Sequence, residues 1–286
     1  MIWLSKDVEE QIKIEKFFSI FEEHFENGYD FPGETHNFWE CVYVQEGSLC
    51  VSGDERIYNL VKGEIIFHKP LELHKFYISN KAGATLLIFS FSMEGRCSDY
   101  LKNKVFRLSE DQEQIMDSLL RYVRRKWQEL ACAENVLPYD RYLMPFQTIP
   151  TYSQMLTTYL YQLILSLIDD GSLSKVSTAW DALVFGNAVN CMNSQIGSQP
   201  SVKEIAAFCS VSEASLKRIF NKYAGISVHK YFLKLKVKTA TELLGNGLSV
   251  TETAERLGFD SQAYFSAVFK RETGVSPSAL KKISAS

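Results

Sequence analysis

Basic and amide side chains recur at helical spacing on two short stretches in the last third of the chain. Lys217, Arg218 and Asn221 lie on the first stretch, and Lys270 and Arg271 lie on the second. Such side chains neutralise phosphates and read base edges in the major groove. The segment from residue 201 carries 13 Lys and Arg against 7 Asp and Glu, whereas the first 200 residues carry 18 against 27. A basic module joined to an acidic one indicates DNA binding.

Two similar segments of the sequence must position these side chains. Residues 201–225 and 249–274 each have the apolar spacing of a helix, a turn and a second helix. Ala206 and Ala254 are small residues at the point where the two helices cross. The residues expected to face or approach DNA are Ser212, Ser215, Lys217, Arg218, Asn221 and Lys222 in the first unit, and Ser261, Gln262, Tyr264, Ser266, Lys270 and Arg271 in the second. Two ordinary helical hairpins are the alternative, and the basic faces weigh against it.

The closing run GFDSQAYFSAVFKRETGVSPSALKK, residues 258–282, resembles the signature of the AraC/XylS family of bacterial transcription regulators. The resemblance covers about the last hundred residues. It implies two helix-turn-helix units joined by one long helix, each inserting a recognition helix into successive major grooves of double-stranded DNA. Here the linker helix is expected at about residues 228–244, with Lys234, Lys236 and Lys238 in solvent or near phosphate.

Three positions depart from the family pattern. Ser210 stands where a turn glycine is common, and Thr253 stands where an aliphatic residue is usual. Ala267 replaces a longer polar or basic side chain, so the second unit is expected to read fewer bases.

Length and composition limit the number of domains, the state of the cysteines and the chance of a membrane span. A chain of 286 residues with 46% hydrophobic residues suits two domains, each with a core large enough to be stable without disulfides or a structural metal. The six cysteines show no metal-ligand spacing and are expected to be reduced thiols in the cytoplasm. Residues 143–168 carry no charge, but their prolines and polar residues argue against a membrane span.

The first 105 residues or so are rich in β-branched and aromatic runs separated by turn residues, as in a small barrel or sandwich. This half resembles a cupin, the jelly-roll sensor domain of many AraC relatives, through His36, Glu40 and Gly47 and then Gly63, Pro70 and His74. The predicted fold is α+β with two domains. Residues 1–172 hold the barrel and two dimerisation helices, and residues 178–286 form the all-α DNA-binding domain.

Metal-binding cupins supply two histidines one residue apart, a glutamate and a third histidine. Here Phe38 occupies the second position, so His36, Glu40 and His74 would form a set of two histidines and one carboxylate. Because a ligand is lost, the preferred interpretation is a scaffold or the lining of an effector pocket, with no bound metal or cofactor. The residues expected to line that pocket are His36, Trp39, Glu40, Tyr43, His68 and His74.

Two helices are predicted after the barrel, at about 109–130 and 152–168, with a loop at 131–150 between them. The second helix is apolar on most sides. By analogy with the family, its leucines are expected to form a dimer contact: Leu156, Leu160, Leu163 and Leu167. Packing of the two helices on each other and on the barrel is the alternative.

These observations together predict a homodimeric, sequence-specific transcription regulator, and more specifically an activator. Its barrel would sense a small metabolite such as a sugar, and RNA polymerase is a further partner to consider. Two alternatives stay open: a metal-dependent cupin enzyme fused to a DNA-binding module, and a regulator without a ligand that a protein partner controls. The sequence shows no catalytic arrangement of residues that favours an enzyme.

Overall fold

The computed structural model describes residues 6–54, 56–131, 144–173 and 179–284. Eight strands belong to the N-terminal domain: β1 (Lys13–Phe25), β2 (Trp39–Gly53), β3 (Arg56–Val61), β4 (Glu64–His68), β5 (His74–Tyr77), β6 (Ala84–Glu94), β7 (Val105–Arg107) and β8 (Ser172–Leu173). Its helices are α1 (Ser98–Leu101), α2 (Glu110–Ala131), α3 (Met144–Thr148) and α4 (Tyr152–Asp170). The helical domain holds α5 (Trp180–Ser194), α6 (Val202–Phe208), α7 (Glu213–Ala224), α8 (Val228–Gly245), α9 (Val250–Arg256), α10 (Gln262–Thr273) and α11 (Pro277–Ser284).

The long strand β2 organises the N-terminal domain because it pairs with four antiparallel neighbours. Its first half pairs with β4 and β6, and its second half, from Ser48, pairs with β3 and β5. The strand changes partners at Gly47, where φ is +78° and an added Cβ would meet the Gly83 carbonyl oxygen at 2.2 Å. Only glycine fits this bend. The outer strand β1 completes the sheet by pairing with β6.

Alternation along β2 separates two apolar cores. Val42 and Val44 point into the core between the strands, and Glu40 shares their face. Trp39, Cys41 and Tyr43 point the other way, into a core formed with α2 and α4. The predicted α+β fold with a cupin-like sheet domain and a helical C-terminal domain is confirmed.

Helix α8 joins the two helix-turn-helix units by contributing to both of their cores. Its N-terminal half packs in the core of the first unit through Val228, Tyr231, Phe232 and Leu235. Its C-terminal half packs in the core of the second unit through Val237, Ala240 and Leu244. With 18 residues the helix is about 27 Å long, which suits two reading heads about one turn of DNA apart.

Some sequence predictions of the local structure need correction. Strand β1 has no clear signal in the sequence, because Lys13, Glu15 and Lys16 interrupt its apolar residues. Within the predicted loop 131–150, residues 132–143 lie outside the described residues and Met144–Thr148 is helical. The predicted junction between the domains, at 173–177, also lies largely outside the described residues. Within the ranges that the structure describes, no helix is long and apolar enough to cross a membrane.

Candidate DNA-binding surface and effector cleft

The first recognition helix, α7, begins at a cap and presents a basic face. The hydroxyl of Ser212 accepts a hydrogen bond from the backbone N–H of Ser215, which satisfies a free donor at the start of the helix. Leu216, Ile219 and Phe220 are fully buried. On the opposite face Lys217, Arg218 and Asn221 are exposed and Lys222 is half-buried. The structure thus places the predicted first-unit residues together on one accessible side of α7.

Asp181 of α5 holds two of these basic side chains. Its carboxylate lies 3.3 Å from the guanidinium of Arg218, through both oxygens, and 3.3 Å from the ammonium group of Lys222. Partial burial opposes ionisation, but the hydrogen bonds from Arg218 and Lys222 lower the pKa of Asp181 overall. Asp181 was not singled out in the sequence, because it lies 37 residues before Arg218. Asp181 therefore orients both basic side chains on this face of α7.

The N-terminal domain contacts the C-terminal end of α7. The ammonium group of Lys75, which is 4% exposed, donates to the Asn221 carbonyl at 3.3 Å and pairs with Asp30 at 2.8 Å. The hydroxyl of Ser52 donates to the carbonyl of Tyr223. A cation at a helix C-terminus complements the carbonyls that end there. Strands β2 and β5 therefore touch the same helix that carries the first basic face.

A second bridge joins the N-terminal domain to α8. The carboxylate of Asp54 lies 2.6 Å from the ammonium group of Lys238 and 2.7 Å from that of Lys69. The hydroxyl of Tyr231 donates to the Asp54 carbonyl at 2.8 Å. Because all three interactions are largely buried, they resist screening by salt.

The second recognition helix, α10, repeats the arrangement of the first with fewer charges. The hydroxyl of Ser261 accepts from the backbone N–H of Tyr264, and Phe265, Val268 and Phe269 are buried. The predicted residues Gln262, Tyr264, Lys270 and Arg271 are exposed and Ser266 is half-buried. Gln262 accepts a hydrogen bond from Thr251, and Arg271 pairs with Glu272, so both have intramolecular partners in the free protein.

The departures from the family pattern have local explanations. Ser210 has a φ of +56°, and Gly258 has a φ of +63° at the equivalent turn of the second unit. The turns match in hydrogen bonding, since Ser210 bonds to the Ala207 carbonyl and Gly258 to the Glu255 carbonyl. A residue with a Cβ is strained by about 1 kcal/mol in this left-handed conformation. Ser210 carries this strain, and Gly258 has no Cβ and avoids it. Thr253 is fully buried but donates its hydroxyl to the Ser249 carbonyl at 2.8 Å.

The expectation that the lysines of the linker helix lie in solvent or near phosphate is wrong. Lys236 is 3% exposed and donates to the carbonyls of Ser198 and Leu257, at 2.8 and 2.6 Å. Lys234 pairs with Glu272 at 3.2 Å, and Lys238 pairs with Asp54. Burial lowers the pKa of Lys236. The three lysines bind carbonyl and carboxylate oxygens of the segments packed around α8, and so they hold α8 in place.

A cleft of about 830 Å³ opens on the N-terminal domain. Its aromatic lining residues are Phe18, Phe21, Phe25, Tyr29, Phe31, Phe38 and Phe76. Its acidic lining residues are Glu23, Glu26, Glu34 and Glu40. In the described part of the chain, no lysine or arginine is among the residues that line it. The cleft is therefore aromatic and negatively charged.

Three predicted pocket residues, with one that the sequence did not reveal, meet at one side of this cleft. His36 and Glu40 line it, and the buried His74 contacts Glu40 at 3.3 Å. Glu34 joins them, 3.6 Å from His74, because the chain before β2 forms a bridge between Glu34 and His74. No spacing in the sequence signals this bridge. His68 is completely buried and stacks on His74, with ring centroids 4.4 Å apart.

The histidines and glutamates of this cluster shift one another's pKa values. Burial lowers the pKa of His74, but the neighbouring carboxylates of Glu34 and Glu40 outweigh burial and raise it to about 10. Burial raises the pKa of Glu40, but His36 and His74 lower it below its usual range. The cluster therefore attracts positive charge.

Trp39 and Tyr43, which were expected to line the pocket, point away from the cleft. They are 3% and 6% exposed in the core beneath α2 and α4. Side chains alternate along β2, so Glu40 lies on one face of the strand and both aromatic residues lie on the other.

The leucines expected at a dimer contact are likewise buried inside one chain. Leu156, Leu160, Leu163 and Leu167 are at most 1% exposed and pack against α2 and the sheet. Their assignment to a dimer contact is wrong, and packing within the chain is the correct alternative. The solvent-facing stripe of α4 instead holds Met155, Thr158, Gln162 and Leu165.

Two protein families match the chain, one on each domain. The AraC-like ligand binding domain matches residues 20–126, and a helix-turn-helix domain matches residues 205–283. The first match includes all the residues that line the cleft except Phe18 and Ser19, and the second includes α7 and α10.

Relatives with known names are similar over much of the chain. It is 24% identical over 253 residues to the HTH-type transcriptional activator RhaR of Cronobacter sakazakii, covering 86% of this chain and 85% of that protein. It is 32% identical over 126 residues to the Msm operon regulatory protein of Streptococcus mutans, covering 43% of this chain and 45% of that protein. That second match thus spans less than half of the relative.

Among solved structures, ToxT of Vibrio cholerae O395 covers 96% of this chain and 98% of its own, at 13% identity and a TM-score of 0.38. The C-terminal domain of AraT from Geobacillus stearothermophilus covers 34% of this chain and 81% of its own, at 33% identity and a TM-score of 0.32. At these TM-scores neither structure adds to the fold assignment, which rests on the strands and helices described above.

The two domain matches and the named relatives agree with the duplicated helix-turn-helix units and the cupin-like sheet. A ligand-binding domain precedes a DNA-binding domain in one chain, and the relatives that span both are transcriptional regulators rather than enzymes. The chain belongs to the AraC family of DNA-binding transcriptional regulators.

Proposed function

We propose that this regulator is a homodimeric activator whose cleft binds an uncharged polar metabolite such as a sugar. The observation that carries the choice of effector is the lining of the cleft. Aromatic faces stack on the apolar faces of sugar rings, and carboxylates and imidazoles accept and donate hydrogen bonds to hydroxyl groups. Four glutamates without a lysine or arginine among the described lining residues disfavour phosphates and carboxylates.

The DNA-binding surface is proposed to consist of the predicted residues of α7 and α10. Lys217, Arg218 and Asn221 would read bases or position the first helix, and Lys222 would contact phosphate. Gln262, Tyr264 and Ser266 would do the same in the second unit, with Lys270 and Arg271 on phosphates. The hydroxyls of Ser212, Ser215 and Ser261 lie at the helix starts, where phosphates approach.

Strand β5 is proposed to carry the signal between the cleft and the DNA-binding surface. His74 points into the charged cluster beside the cleft, and the next residue, Lys75, holds the C-terminal end of α7. An effector that shifts β5 would change how α7 is held. Such coupling requires that the effector bind two arrangements of the domains with different affinity.

An effector panel tests the sensor proposal. A sugar that binds the cleft, supplied at a hundred times its dissociation constant, should stabilise the chain by about 2.7 kcal/mol, because it binds only the folded state. The measurement is the thermal midpoint of the purified protein with neutral sugars and their phosphate esters. Stabilisation by a phosphate ester but not by its parent sugar would contradict the proposed selectivity.

The dimer contact is proposed to lie on the uncharged outer stripe of α4, which exposes Met155 and Leu165. Leu165→Asp should convert the dimer to a monomer in sedimentation velocity at micromolar concentration, because a charge at an apolar contact loses its water. Ser153→Asp adds the same charge to an exposed position away from the stripe and should remain dimeric. A monomeric wild-type protein would contradict the proposal.

The remaining partners and the compartment are also proposals. Activation would require contact with RNA polymerase, which an in vitro transcription assay with and without the effector tests. The free thiols in the described part of the chain, among them the buried Cys41 and Cys50, suit the reducing cytoplasm.

A further inference from the structure

Glu34, His36, Glu40 and His74 converge on one point at the edge of the cleft. Each offers one ligand atom, and the four atoms all lie within 4.8 Å of one another. We propose that these four side chains bind a divalent transition-metal ion, with Zn²⁺ as the preferred occupant. The proposal does not depend on which effector the cleft binds.

The separations between the ligand atoms suit a metal ion. His74 Nε2 lies 3.3 Å from Glu40 Oε1 and 3.6 Å from Glu34 Oε1. His36 Nε2 lies 3.7 Å from Glu40 Oε2 and 3.9 Å from Glu34 Oε1. Ligands at about 2.1 Å from a tetrahedral Zn²⁺ lie about 3.4 Å apart. Small side-chain shifts would therefore close the four ligands around one ion.

Both histidines present the same ring nitrogen to this point. Nδ1 of His36 lies 3.0 Å from the Phe38 carbonyl, and Nδ1 of His74 lies 3.1 Å from the Glu72 carbonyl. A carbonyl accepts a hydrogen bond only from an N–H, so Nδ1 carries the proton in each ring. Nε2 of each ring therefore faces the proposed ion, which is how metal-ligating histidines are oriented. Binding of the ion would displace the proton that Glu34 and Glu40 stabilise on His74.

The Nε2 atoms of His36 and His74 contact only the carboxylates of Glu34 and Glu40 among the described charged groups, at 3.3 to 3.9 Å. Both are buried, and neither makes a well-directed hydrogen bond within the described part of the chain. His74 as a whole is only 2% exposed. Buried polar atoms are almost always partnered, and two that aim at the same pair of carboxylates indicate a shared ligand. Two carboxylates also match the charge of a divalent ion, which lowers the cost of burying it.

Residues around the four side chains orient them, and the cleft gives an ion access to them. The hydroxyl of Ser90 donates to Glu40 Oε2 at 3.1 Å, which orients that carboxylate from outside the cluster. Phe38 stacks on the His36 ring, with centroids 3.8 Å apart, and fixes its plane. The Glu34 side chain is 46% exposed, so an ion can enter from the cleft beside it. Glu34 thus provides the fourth ligand that Phe38 cannot.

The donor set selects the kind of metal. Two imidazoles and two carboxylates contain no thiolate, and they suit Zn²⁺ and neighbouring divalent ions rather than Cu⁺. Ca²⁺ and Mg²⁺ prefer oxygen ligands and are disfavoured by the two histidines.

Metal titration of the full-length protein tests the proposal directly. After treatment with EDTA and its removal, isothermal titration with ZnCl₂ should show one site per chain. Co²⁺ in place of Zn²⁺ should give the visible absorption bands of a four-coordinate nitrogen and oxygen site. Glu34→Gln should weaken Zn²⁺ binding about tenfold or more, and His36→Gln should abolish the Co²⁺ bands. Glu34 and His36 are both partly exposed, so the folding of each variant can be checked by its thermal midpoint.

Glu23→Gln is the matched control, because Glu23 lines the same cleft outside the cluster and its loss should leave Zn²⁺ binding unchanged. The proposal is overturned if the EDTA-treated wild type neither binds Zn²⁺ nor gives the Co²⁺ bands. It is also overturned if both cluster variants bind like wild type, since the ion would then lie elsewhere. These measurements use neither DNA nor effector, so their failure is distinct from a failure of the regulator assignment.

Discussion

Arg218→Ala should weaken binding to the operator by about 1–3 kcal/mol, roughly five- to 150-fold in dissociation constant. Arg218 is 61% exposed on its side chain and lies on the accessible face of α7, where a guanidinium can bond two acceptors of one guanine. The operator can be selected from a random-sequence pool with the purified wild-type protein, and affinity can be followed by fluorescence anisotropy. Because the side chain is exposed, the thermal midpoint should change little.

Two further variants distinguish a specific contact of Arg218 with DNA from a general effect of the protein's net charge. Lys16→Ala removes one exposed positive charge from β1, outside the helical domain, and should leave operator affinity within about twofold, since salt screens charges that do not contact the DNA. Asp181→Asn removes the carboxylate that holds Arg218 and Lys222, and should tighten binding severalfold. Equal affinities for wild type and Arg218→Ala would remove Arg218 from the recognition surface.

Lys236→Met should lower the free energy of unfolding by about 2–3 kcal/mol. Methionine keeps the length of the apolar stem but removes the ammonium group, which leaves the carbonyl of the buried Leu257 and the carbonyl of Ser198 without this donor. These carbonyls belong to the loop before α6 and to the end of α9, so Lys236 ties the two helix-turn-helix units together. Operator affinity should fall as well, because the reading heads lose their fixed separation.

Chemical denaturation with urea measures this effect. Lys230→Met is the matched control on the same helix, since Lys230 is exposed and its change should stay within about 0.5 kcal/mol. If Lys236→Met and Lys230→Met unfold at the same urea concentration with the same slope, Lys236 does not bridge the two units.

Features set by short-range patterns could be predicted from the sequence. The caps at Ser212 and Ser261 are features of this kind, because capping involves residues three apart. The long helix α8 was also predicted, at nearly its observed length. The basic faces of α7 and α10 follow from helical spacing alone.

Features set by contacts between distant segments could not be predicted. The leucine stripe of α4 suits either a dimer contact or an intramolecular core, and only the position of α2 decides between them. Asp181 and Glu34 acquire their roles through chain crossings that no local spacing encodes. Lys236 lies among other lysines in a segment whose sequence predicts exposed side chains. The end of α9 nevertheless covers it, since Lys236 donates to the Leu257 carbonyl.

The most direct test of the whole account is a titration of the full-length protein against its selected operator and a scrambled duplex of equal length, at several salt concentrations. A regulator with two reading heads should bind the operator at least about a thousandfold more tightly than the scrambled duplex. Both affinities should fall as salt rises, since basic side chains displace counterions. Equal affinity for the two duplexes, or affinity that does not depend on salt, would contradict the assignment of α7 and α10 as recognition helices.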